Sequence, residues 1–242
     1  IAIGNQALDA LTSGDQNVAI GFASGTAINS GANNTFVGNA SGAAQTTASN
    51  NVLIGGDAGA ALTTGGDNTF IGYTAGDGHD AETNNIGIGK AALGGPIAGG
   101  EFNVAVGINS LDALTSGDNN TVMGYEAGGA LTTGGENTIL GNYAVSTGVL
   151  TGSGNVAIGR LAGQDLTSAT GNVIIGRSAA QQATTSDGNV IIGDGAVQVG
   201  ILTGNDNVVI GQGAGVDLTS AAQNTIIGEQ SGAQITTASE NV

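Results

Sequence analysis

His79 is the only histidine of this chain and cysteine is absent, so acid–base, thiol and soft-metal chemistry would rest on one imidazole and nineteen carboxylates. The imidazole stands in the irregular segment DGHDAETN, residues 77–84, which reads as a solvated loop. No pair of carboxylates stands apart from the repeats described below, and there is no thiol to act as nucleophile or to form a disulfide. The sequence therefore reads as non-enzymatic and without a cofactor. Calcium bridging is the chemistry open to the acids, because Asp15, Asp67, Asp118, Glu136, Asp206 and Glu240 recur beside one kind of turn. The nonapeptide pattern that marks calcium-binding β-rolls is missing, and solubility explains the acids more simply.

Lysine and arginine number three, Lys90, Arg160 and Arg177, and the formal net charge is −16. That balance disfavours nucleic acid and anionic lipid. No apolar run reaches the ~18 residues that would span a bilayer, so no membrane insertion is expected of this segment. Asn39-Ala40-Ser41 matches a glycosylation sequon, and Gly211-Gln212-Gly213-Ala214-Gly215 has a nucleotide-loop spacing. Both are by-products of a repeating grammar. A column of threonines, Thr12, Thr63, Thr115, Thr132, Thr167 and Thr219, could form an ice- or glycan-binding ladder. Adjacent pairs such as Thr63-Thr64 send alternate side chains to opposite faces and weaken the idea of a flat double row.

These residues sit in a phrase, typified by NVAIG at 17–21, that recurs fourteen times. Its opening asparagines are Asn17, Asn34, Asn51, Asn68, Asn85, Asn103, Asn120, Asn137, Asn155, Asn172, Asn189, Asn207 and Asn224. They lie 17 residues apart, or 18 after Asn85, Asn137 and Asn189, and Asn241-Val242 opens a further copy. A period of this length is the mark of a solenoid. The composition agrees: 46 glycines, one proline, 3% aromatic and 9% charged residues. Disorder would lack the spaced aliphatic residues, and collagen would need glycine at every third position.

Alignment of the copies gives the cross-section. Asparagine opens the phrase, glycine closes it, and the position three beyond the glycine is only Ala or Ser. Asparagine suits a turn-stabilising ladder, since its side chain bonds to turn backbone and tolerates left-handed conformations. The second position is Val, Thr or Ile, and the fourth is always Ile, Val, Leu or Met, a strand signal. Recurrent glycine, at about 1 kcal/mol each, argues against helix. A second short arm, often Leu-Thr, follows. The expectation is an all-β chain forming a parallel β-solenoid of about 14 coils, with 17–18 residues per coil and roughly 65 Å long at ~4.8 Å per coil. Its core would be the fourth column facing the second arm's Leu and Ile.

The third position should then face outward, yet it includes Phe36, Leu53, Phe70, Val122, Ile139, Ile174, Ile191, Val209 and Ile226. An apolar stripe of that kind is expected to be a self-association surface. Ile174→Asp should break association, and Ile175→Asp should break folding. The chain begins inside one phrase and stops inside another without a cap, so residues 1–242 read as one solenoid belonging to a longer chain or an end-to-end filament.

The NVAIG phrase, its small residue three places on and its many-fold repetition resemble the head repeats of trimeric autotransporter adhesins. NTFIGYTAG at 68–76 and NTILGNYA at 137–144, joined by LTTG segments, are also similar to repeats of phage tail fibres and bacterial surface proteins. The resemblance implies a left-handed β-roll outside the cell or on a virion. It also implies frequent assembly from three identical chains, and attachment or fibre building through a surface receptor or glycan. The family's coils are shorter, so the extra residues here enlarge the return loop.

Overall fold

The structure, a computed structural model, describes residues 1–96 and 99–241; Val242, read above as opening a further phrase, lies outside them. The fold is all-β, a parallel β-solenoid in which, within each of two units, the strands follow one another in sequence order. The chain divides into two compact units, residues 1–119 and 120–242. In the first, β1 to β7 are Ala2–Ile3, Val18–Ile20, Thr35–Val37, Val52–Ile54, Thr69–Ile71, Ile86–Ile88 and Val104–Val106. In the second, β8 to β14 are Thr121–Met123, Thr138–Leu140, Val156–Ile158, Val173–Ile175, Val190–Ile192, Val208–Ile210 and Thr225–Ile227. Within each unit like residues stack: Ala19 lies opposite Phe36 and Phe36 opposite Leu53, and likewise Ile174 opposite Ile191 and Ile191 opposite Val209.

The strands are short because the closing glycine bends the chain. Its φ runs from +126° at Gly228 to +146° at Gly193, a region that side chains avoid. Space imposes the same choice, since a Cβ on Gly21 would lie 2.3 Å from the carbonyl oxygen of Gly38 in the next coil. The corner continues through left-handed residues such as Ala23 (φ 53°) and Gly25 (φ 57°), and each coil ends in another, such as Asn33 (φ 59°) or Asp67 (φ 60°). Between them sits the Ala/Ser column. Ser24, Ala58, Ala127 and Ala162 are fully buried, which accounts for the size limit.

The core corrects the phase read from sequence. In nearly every strand the middle residue is buried and its two neighbours are at least partly exposed. Phe36, Leu53, Phe70, Val122, Ile139, Ile174, Ile191, Val209 and Ile226 therefore form the interior and are not an outer stripe. The fourth column, expected inside, faces out. A strand can place only alternate residues inside, and the second column, which shares the parity of the fourth, includes Thr35, Thr69, Thr121, Thr138 and Thr225. Turning that parity inward would bury a row of hydroxyls, whereas the third column contains no polar group.

The 18-residue coils of the second unit carry their own compensation. In 17-residue coils Gly128, Gly163 and Gly215 precede the buried Leu131, Leu166 and Leu218 by three places. In the coils opened by Asn137 and Asn189 the glycine is replaced by Val145 and Val197, both buried, and the leucine by Gly148 and Gly200. The leucine reappears two places later as Leu150 and Leu202, and Leu150 bridges to Leu131. The valines fill the vacated core at φ 48°, a conformation that costs a β-branched residue on the order of 1–3 kcal/mol.

Candidate functional site

The asparagine column is a buried hydrogen-bond ladder. Within each unit Oδ1 accepts the backbone N–H of the asparagine one coil on, as from Asn34 to Asn17 (3.0 Å) and from Asn189 to Asn172 (2.9 Å). Nδ2 reaches a carbonyl at the return turn, as from Asn34 to Ala48 and from Asn172 to Ser186, both 2.8 Å. The amides also chain to one another, Asn34 to Asn17 at 3.1 Å in the first unit, and Asn172 to Asn155 at 3.0 Å and Asn224 to Asn207 at 2.9 Å in the second. An amide offers both donors and an acceptor, and these are consumed inside the wall. The column is scaffold and offers little to a ligand.

The threonine column is similarly occupied. Thr12, Thr132, Thr167 and Thr219 each donate their hydroxyl to a backbone carbonyl one coil on, at 2.8, 3.3, 3.0 and 2.9 Å. Thr63 does the same to Asp80 at 3.2 Å. Two of the acids have a comparable duty: Asp118 accepts the N–H of Glu101 at 2.8 Å, and Asp187 that of Thr170 at 2.7 Å. Among the described residues no three His, Asp or Glu side chains gather as a metal ion would need, and no helix is long and apolar enough to cross a membrane.

His79 is not the solvated loop residue read from sequence. It is fully buried in the second-arm column, with its ring centroid 4.7 Å from that of Phe70 and both ring nitrogens without a hydrogen-bond partner. Burial pushes its pKa down to about 4, against a smaller upward pull from Glu82. Glu82 is itself buried and bonded, accepting the N–H groups of Asp80, Ala81 and Gly99. A neutral imidazole packed on a phenyl ring and closed to solvent is unable to exchange protons with a substrate. Gln45, in the same column, is also buried without a partner for its amide.

The outer face of the sheet is a further candidate surface. In the first unit its fourth column runs Ile3, Ile20, Val37, Ile54, Ile71, Ile88 and Val106; in the second it runs Met123, Leu140, Ile158, Ile175, Ile192, Ile210 and Ile227. Ile20 is 38% exposed, Ile88 37% and Met123 53%, and the rest of the column is half-buried or more exposed. No charged residue occurs in this column or in the second column beside it. The signal was present in the sequence as the threonines of the second column. At the corner beyond it, Tyr125 meets Tyr143 edge to face at 5.2 Å, and hydrogen bonding to Glu126, then to Tyr143, pushes the Tyr125 phenol up to about 12. Comparison of the chain with protein-family models, curated proteins and solved structures finds no match in any of the three.

Proposed function

We propose that the chain is a structural and adhesive fibre segment, exposed outside the cell or on a virion, that associates with copies of itself through the outer face of its sheet. The observation that carries this reading is the fourth column, aliphatic at every strand and directed outward. In a protein of net charge −16, a face without a charge is where two like molecules meet with least repulsion. Both columns repeat at the spacing of one coil, so identical faces match ridge for ridge, as symmetric assemblies require. The likeness of the NVAIG phrase to adhesin head repeats supports the extracellular setting and assembly from three chains. Hydroxyls committed to the coil-to-coil ladder count against the alternative, an ice- or glycan-binding threonine face.

A pair of neighbouring substitutions tests the reading. Ile175→Asp places a carboxylate on the outer face and is expected to yield monomers with an unchanged melting curve. Ile174→Asp buries an unpaired charge and is expected to unfold its unit. Light scattering after gel filtration, with circular dichroism, reads both. Assembly of the Ile175→Asp protein as complete as that of the parent would remove the outer face as the interface.

A further inference from the structure

In the second unit the position two places after the strand glycine has a left-handed backbone and carries Glu126, Tyr143, Leu161, Ser178 and Gln230, but in two successive coils it is Gly195 and Gly213. The conformation does not demand glycine there. Leu161 holds φ 61° and Ser178 φ 54° in this column, against 64° and 60° for the two glycines. What the pair removes is side-chain volume, and it leaves a cleft of about 210 Å³ at the corner of the solenoid. The floor is firm, since the N–H groups of Gly195 and Gly213 donate to the carbonyls of Arg177 and Asp194, each at 2.9 Å.

The lining selects the ligand. Arg177 donates to Asp194 at 2.8 Å, so the two charges on one wall offset each other. Gln198, Gln212 and Gln230 supply carboxamides, each with donors and an acceptor, and Val216 supplies an apolar contact. No aromatic wall is present to hold a flat apolar ligand. Asp194 and the net charge of −16 oppose an anion, and Arg177 opposes a cation. A neutral molecule rich in paired hydroxyls satisfies planar groups of this kind from both sides, and a space of this size holds one sugar ring. We propose that the Gly195–Gly213 cleft is a binding site for a neutral hexose unit, free or at the end of a glycan.

The site is separate from the sheet face and from the threonine column, so its test is independent of self-association. Saturation-transfer NMR on the whole chain, with neutral methyl hexosides, neutral oligosaccharides and a sialylated oligosaccharide, reads binding directly. At least one neutral hexose is expected to receive saturation and the sialic acid to receive none; transfer to the oligosaccharide alone identifies a glycan terminus as the source. Gly195→Ser with Gly213→Leu copies side chains that the same column already accommodates at Ser178 and Leu161, and should weaken binding at least tenfold with the fold intact. Gln212→Ala, an exposed change that leaves the backbone alone, should weaken it severalfold. Absence of transfer to every neutral sugar, equal binding by the filled and parent proteins, or binding of the acidic sugar alone would each overturn the assignment.

Discussion

The two units fill the same repeat in different ways. In the first, the inward third column of β2 to β7 swings between Phe36 and Phe70 at one extreme and Gly87 at the other, and the second-arm column mixes Ile28, Leu62 and Leu114 with Gln45 and His79. In the second, the third column stays within Ala, Val and Ile, and the buried residues of the second arm are Leu or Ala. A stack of like coils thus has two solutions. One matches large against small: Phe70 lies opposite Gly87, whose added Cβ would come within 3.1 Å of its ring. The other narrows the range to small and medium aliphatic residues and absorbs length changes through the Val145–Leu150 and Val197–Leu202 exchange. The first solution carries a cost that the second avoids, because the only buried side-chain polar atoms without a partner among the described residues belong to Gln45 and His79.

Removing a ring should break the first solution most severely. Phe70→Ala empties a site that neighbouring coils have shrunk to receive, and it strips His79 of its stacking partner. A loss of about 4 kcal/mol is expected for the first unit, within the range for buried Phe→Ala. Urea denaturation with a probe in each unit would show the first transition moving and the second staying in place. Movement of both together would mean that the two units unfold as one.

Acid should separate the units next. The folded first unit keeps the His79 imidazole neutral down to about pH 4, whereas the unfolded chain protonates it near 6.5. Between those values the unfolded state binds the extra proton, so stability falls as pH drops from 6.5 towards 4, by about 3 kcal/mol in all, and is flat above that window on this group's account. His79→Leu, which copies Leu62 in the same column, should abolish this slope, and the second unit has no histidine to show it. Denaturation midpoints at pH 7 and pH 4 for parent and variant measure the difference directly. A parent and variant that lose stability equally would place the acid sensitivity on the carboxylates instead.

The smallest effect should come from Gln45→Leu. It exchanges a buried amide without a partner for the side chain the column ordinarily uses, and a gain of about 1–2 kcal/mol is expected in the first unit. A loss would show that Gln45 is bonded through ordered water.

Period, strand positions and the special columns were all legible in the residues. Asparagine and glycine bracket every strand because a left-handed turn and a coil-to-coil amide ladder tolerate few substitutes, and the Ala/Ser column declares its own lack of space. The architecture followed from these alone, since no coil can cover its apolar side without a neighbour. The cleft at Gly195 and Gly213 was also written there, as two successive departures from a column of side chains, but it was hidden among 46 glycines. Tertiary structure decided which way the strands without a threonine face. In Val173–Ile175, apolar throughout, alternation defines two faces without saying which is inside, and only the register of the stack ties it to Thr225–Ile227, where Thr225 faces out. The same stacking carried His79 into the core: its neighbours in sequence are polar, but its neighbours in space are set by the register of the stack, one coil to either side.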